Sequence, residues 1–179
     1  TPVFVFITIF AALMAYAIWL GLESIARVAQ LFFPFIFAST TFIMISAAIQ
    51  GDFVLLRPAF GAGIRPILEA SYINASYFAE GVAFLWLHNR LRDPGTSGPS
   101  LLSGIGLAGF VFIGLTASTL VVFGPEIGSH WVFPALNLAR TANLGPIAQR
   151  FESLLFVIWF VAALVKLSVT GYVSAYGFS

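Results

Sequence analysis

The stretch SYINASYFAEGVAFLWL, residues 71–87, lies in an apolar run long enough to cross a bilayer, yet it carries a cluster of polar side chains. The cluster includes Asn74, Ser76, Tyr77 and Glu80. A spanning α-helix needs about 20 mostly apolar residues, and residues 66–87 meet that length. Ionisable groups at membrane depth are costly and normally face a bundle interior or a water-filled cavity. The stretch therefore predicts a spanning helix that contains a polar site.

The composition of the whole chain is that of a membrane protein. Its 179 residues are 60% hydrophobic and 8% charged, with a mean hydropathy of +1.00. Soluble domains contain about 25% charged residues, so we expect the lipid bilayer to be the main surroundings. The net charge is +1 and no basic run occurs, which argues against a nucleic-acid partner. There is no Cys and the two His are not spaced as ligands, so we expect no metal and no cofactor.

Five segments are long and apolar enough to span a bilayer. They are residues 3–20, 28–49, 66–87, 101–123 and 154–176. Backbone groups in lipid must bond within their own segment, so all five are predicted to be helices. The predicted fold class is an all-α polytopic membrane protein with one transmembrane domain over residues 1–179.

The connections between these spans differ in kind. Residues 21–27 are predicted to be a tight turn, in which Glu23 and Arg27 stand four residues apart with the acid first. Residues 124–150 form a long, weakly polar connection, for which we expect short helices along the membrane surface. The chain begins with Thr1 and has no basic flank before its first span, so we expect it to be an internal piece of a larger membrane protein.

The third predicted span has one polar face. Glu69, Tyr72, Ser76 and Glu80 follow one another at spacings of 3, 4 and 4 residues, which places them on one side of a helix. Lys166 lies near the middle of the fifth span, and the third and fifth spans run in the same direction. An ion pair between Glu80 and Lys166 is our hypothesis. It is either a structural pair that fixes helix packing or part of a ligand or ion site.

One motif that suggests another function is better explained by the membrane. GIGLAG, residues 104–109, matches a dinucleotide-binding pattern, but it lies inside an uncharged span. We interpret it as a small-residue face that lets another helix approach closely. The sequence contains no nucleophile–base pair and no phosphate loop, so we do not expect an enzyme.

Several motifs, in order along the chain, resemble one family. They are GLESIAR at 21–27 with Pro34, LRP at 56–58 and GIRPIL at 63–68, FAE at 78–80, and FP at 133–134 followed by Arg140. Together they are similar to the spore-germination permeases, the B subunits of nutrient germinant receptors in the amino acid–polyamine–cation transporter superfamily. Glu23, Arg27, Pro134 and Arg140 fall on the motif positions.

The resemblance implies a LeuT-like fold of ten spans in two inverted repeats, of which this chain would hold spans four to eight. It implies a subunit in the spore inner membrane that works with other germinant-receptor subunits. In this first hypothesis a small nutrient such as an amino acid binds at the midplane. The expected ligand-binding residues are Tyr72, Asn74, Ser76, Tyr77 and Glu80, with Lys166 as counter-charge.

Two other functions remain open from the sequence. One is a proton- or cation-coupled amino acid transporter, in which Glu80 is the proton site because desolvation raises the pKa of a buried carboxyl group. The other is a structural subunit with a vestigial cavity.

Overall fold

The computed structural model describes residues 2–57, 63–78, 81–88, 95, 97–141 and 151–177, and it is helical throughout its regular elements. The helices are α1 (Pro2–Leu20), α2 (Leu22–Gln50), α3 (Ile64–Phe78), α4 (Gly81–His88), α5 (Ser97–Ser129), α6 (Pro134–Thr141) and α7 (Phe151–Gly177), with a 3₁₀ turn at Phe53–Leu56.

Four of the described helices are long and apolar enough to cross a membrane. They are α1, α2, α5 and α7, and they include the first, second, fourth and fifth predicted spans. The predicted span 66–87 corresponds to α3, of 15 residues, and α4, of 8 residues, with residues 79 and 80 outside the description. The all-α polytopic membrane fold is therefore confirmed, while the count of five spans and the LeuT-like fold stay predictions.

The turn between the first two spans is much shorter than predicted. Gly21 alone separates α1 from α2, with φ at +89°, and α2 begins at Leu22. The prediction of a turn over residues 21–27 was wrong because left-handed backbone at one Gly is enough to separate two helices. Glu23 and Arg27 consequently lie in the first turns of α2.

One compact unit contains α1, the first part of α2 and α7, over residues 1–38 and 153–179. The rings of Phe6 and Phe10 meet that of Phe160 edge-on, with centroids 5.2 and 4.8 Å apart. Further along both helices, a Cβ on Gly171 would lie 2.8 Å from Cδ1 of Ile18. Residue numbers increase in the same direction along both helices from one contact to the next, so α1 and α7 run parallel.

The second unit covers residues 39–152 and is built around α5. A Cβ on Gly114 would lie 2.0 Å from Cε of Met44, and one on Gly51 would lie 2.2 Å from Cγ1 of Val121. Gly51 stands seven residues after Met44, and Val121 stands seven residues after Gly114. The end of α2 therefore runs parallel to α5. The buried face of α2 in this unit consists of Ser39, Thr40, Ile43, Ser46 and Ala47.

A hairpin joins α4 and α5 in the same unit. Nδ1 of His88 and Oγ of Ser97 are hydrogen-bonded at the closed end. A Cβ on Gly81 would lie 3.8 Å from Cδ1 of Ile105 near the open end. The helix α4 therefore runs antiparallel to α5 and, in consequence, opposite to the end of α2.

The long connection after the fourth predicted span is partly helical. The helix α5 has a kink at Gly124, where φ is +73° and ψ is +168°, and continues from Pro125 to Ser129. Pro134 begins α6, and Arg140 lies exposed in its last turn, while Leu138 and Ala139 are buried. Pro suits the first position of a helix because the amide it lacks has no acceptor there.

Candidate functional site

A cavity of about 280 Å³ lies between α5 and the chain around the end of α3 and the start of α4. It is lined by Phe78, Gly81, Phe84, Ser100, Leu101, Gly104, Ile105 and Ala108. Both lining faces belong to the same compact unit. The cavity is widely open on one side, and its surface is mostly apolar with a hydroxyl at one edge.

The small residues of α5 open this cavity. Gly104 and Ala108 stand one turn apart and leave room opposite Phe78 and Phe84. A Cβ on Gly104, Gly106 or Gly109 would meet nothing within 4 Å among the described residues. The close approach of another helix that we predicted for this face is thus not found in the described part of the chain. Without a side chain at Gly104, the space beside Phe84 stays empty instead.

The polar side chains of α3 bond to their own helix. The side-chain amide of Asn74 donates to the carbonyl oxygen of Ala70 at 2.8 Å, and Oγ of Ser76 donates to that of Ile73 at 2.6 Å. Tyr72 is 84% exposed. None of these three predicted site residues lines the cavity. Local bonds of this kind satisfy polar groups in a span without any ligand.

The remaining predicted site residues are placed as follows. The side chain of Tyr77 and the whole of Glu80 lie outside the described residues. Lys166 is exposed on α7, in the unit that α7 shares with α1. The ion pair between Glu80 and Lys166 therefore stays a prediction.

Among the described residues, exposed ion pairs lie near the starts of α2 and α3. In α2, the guanidinium of Arg27 lies 2.7 Å from Oε1 of Glu23, at the spacing that the sequence indicated. In α3, Nε of Arg65 lies 2.9 Å from Oε1 of Glu69. Glu69, which lies on the predicted polar face with Glu80, thus has a partner that the spacing of that face does not indicate. The signal was present as a basic and an acidic residue four positions apart.

Sequence reasoning also missed the cavity itself. Its residues are apolar or small and uncharged, and GIGLAG, which holds three of them, was interpreted as a helix-packing face. The available signal was the placement of Gly81 and Gly104, since Gly within a spanning helix often marks close approach or open space. Which of the two applies depends on the neighbouring helix.

The sequence family described as "Spore germination protein" matches residues 1–179. The chain belongs to this family. Its curated relatives include spore germination protein XB of Bacillus anthracis, 26% identical over 86% of this chain and 43% of the relative. Spore germination protein YndE of Bacillus subtilis (strain 168) is 28% identical over 92% of this chain and 46% of the relative. No solved structure matches the chain.

A third relative extends the match to the full chain. Spore germination protein KB of Bacillus subtilis (strain 168) is 21% identical over 100% of this chain and 49% of its own length. The chain thus spans about half the length of the curated relatives it matches. The family and the apolar helices together support a membrane protein with a role in spore germination.

Proposed function

We propose that this protein is a membrane subunit of a spore germinant receptor and that it binds a small nutrient in the cavity between α4 and α5. The observation that carries the proposal is the cavity of about 280 Å³ within a chain of this family. Drug-sized ligands occupy pockets of about 300–1,000 Å³, so this volume suits a smaller molecule.

The residues in the cavity lining and next to it in sequence favour an amino acid as the ligand. Phe78 and Gly81 line the cavity, and only Ala79 and Glu80 separate them in sequence. Glu80 is therefore the acidic group nearest to the cavity along the chain, and it would pair with the ammonium group of an amino acid. Phe78 and Phe84 supply apolar surface for a short side chain.

The architecture we propose has five spans, with residues 64–88 forming the third. The parallel course of α1 and α7 supports it, since parallel spans require an odd number of crossings between them. The parallel course of α5 and the end of α2 supports it independently, because one crossing must separate them. In the whole protein these spans would form part of a LeuT-like bundle in the spore inner membrane, in contact with other receptor subunits.

The test is binding and uptake of labelled amino acids by the purified protein in sealed proteoliposomes, with and without a proton gradient. We expect saturable binding that is equal with and without the gradient, and no accumulation. Gly104→Leu, which would fill the cavity, should abolish the binding, while Gly106→Leu on the same helix, away from the cavity lining, should not. Accumulation that follows the gradient would establish a transporter instead of a receptor. Absence of saturable binding would reject the cavity as a nutrient site.

A further inference from the structure

The kink of α5 leaves the backbone carbonyl of Val121 without its helical partner. In an unbroken helix the carbonyl oxygen of Val121 would accept from the amide of residue 125. That residue is Pro125, which has no N–H, and Gly124 before it adopts a left-handed φ of +73°. A carbonyl that loses its helical partner must accept from another donor or from water.

The donor comes from the end of α2. The amide of Asp52 donates to the carbonyl oxygen of Val121 at 2.9 Å. The approach depends on Gly51, because a Cβ there would lie 2.2 Å from Cγ1 of Val121 and 2.7 Å from the carbonyl oxygen of Ala47. The carboxylate of Asp52 accepts from the amide of Val54 and so holds the 3₁₀ turn in place. Leu55 of that turn faces Gly124.

We propose that the hydrogen bond from Asp52 to Val121 is a conformational latch, which holds the segment of α5 after Gly124 in one direction and releases it when it opens. The bond joins the α2–α3 connection to the chain that leads into α6. Movement at the end of α2 would thereby be passed to residues 125–141. The inference concerns a movement and does not depend on the proposed nutrient site.

The closed and open states of the latch differ little in free energy because the latch is a single hydrogen bond at the ends of two helices. Water that enters there can hydrogen-bond to the freed amide of Asp52 and to the freed carbonyl of Val121, so the net free-energy cost of opening is small. The left-handed backbone at Gly124 supplies the pivot. The edge-on contact of Phe123 with Trp131, at 4.3 Å between ring centroids, packs the following chain against α5 in the closed state.

Two variants open the latch by different routes. Gly51→Ala places a methyl group against Val121 and should push the end of α2 away. Pro125→Ala restores an amide that competes with Asp52 for the same carbonyl oxygen. Gly106→Ala, on the same helix as Pro125, is the matched control, because its Cβ would meet nothing within 4 Å.

The first readout is the distance between spin labels in the protein reconstituted into lipid nanodiscs. The 179 residues contain no Cys, so Val54→Cys and Ile127→Cys, at positions 67% and 53% exposed, introduce two defined sites. We expect one dominant distance in the parent and in Gly106→Ala, and a second population in Gly51→Ala and Pro125→Ala. Unchanged distributions in both latch variants would overturn the proposal.

The second readout is hydrogen exchange of the Asp52 amide, followed on a peptide that covers residues 47–57, so that Asp52 is not one of its first two residues. Opening of the latch should speed this exchange at least tenfold in Pro125→Ala, with no change in Gly106→Ala. Equal exchange in Pro125→Ala and the parent would show that the bond does not limit the movement.

Discussion

Individual side chains decide how closely α1 and α7 pack. Phe160 receives two edge-on ring contacts, from Phe6 and Phe10, and Gly171 gives Ile18 room at the other end. Apolar side chains gain little by leaving lipid, so packing geometry is the main source of stability between spanning helices. These residues therefore matter through their shapes and not through their hydrophobicity.

Replacement of Phe160 should separate the contribution of ring geometry to stability from the contribution of hydrophobicity. Phe160→Leu keeps an apolar side chain but removes two aromatic pairs, each worth about 0.5–1.5 kcal/mol, so the unfolding free energy should fall by about 1–3 kcal/mol. The measurement is reversible unfolding in mixed micelles. Phe156→Leu, at a position 55% exposed on the same helix, is the matched control and should change stability much less. An equal loss in the two variants would show that the ring contacts contribute nothing specific.

At the scale of helices, hydropathy predicted well where one element is long and uniform. Residues 3–20 and 154–176 fall within α1 and α7 because length and apolarity alone determine a spanning helix. The fourth span was predicted to end at residue 123, next to Gly124, where the kink occurs. The turn over residues 21–27 was predicted wrongly because local polarity was mistaken for irregular backbone.

The polar face of α3 shows that sequence periodicity alone cannot identify the surroundings of a helix face. Spacing correctly groups residues on one side of a helix, but it does not reveal what lies opposite them. Tyr72 is largely exposed and Asn74 bonds to its own backbone, whereas the cavity is formed by apolar and small residues with Ser100 at one edge. The hydrogen bond from Asp52 to Val121 joins residues that are distant in sequence, so only tertiary structure reveals it.

The crossing of residues 64–88 can be tested by the sidedness of its ends. Arg65→Cys and Gly98→Cys, both at exposed positions, should react with a membrane-impermeant maleimide from opposite sides of a sealed vesicle. Glu126→Cys, beyond the long part of α5, should react from the same side as Arg65→Cys. Loss of the exposed pair between Arg65 and Glu69 should cost little stability. Reaction of Arg65→Cys and Gly98→Cys from one side would mean that the segment does not cross.

For the whole molecule, a receptor must convert binding into a change of state. A ligand shifts an equilibrium only through different affinities for the two conformations. The chain spans about half the length of its curated relatives. Ligand-dependent stability is the property that reports binding by the complete protein without assuming that anything is transported.

The final prediction concerns that stability. A nutrient at one hundred times its dissociation constant should stabilise the reconstituted protein by about 2.7 kcal/mol, because it binds the folded state alone. The thermal midpoint should begin to rise near the dissociation constant and then increase with the logarithm of amino acid concentration. Glu80→Gln removes the proposed partner of the ligand ammonium group and should move the concentration at which this rise begins upward at least tenfold. Glu69→Gln, in the exposed pair with Arg65, is the control and should leave it unchanged. If Glu80→Gln retains the parental concentration dependence, the carboxylate does not contact the nutrient, and the cavity must bind through its apolar walls and Ser100.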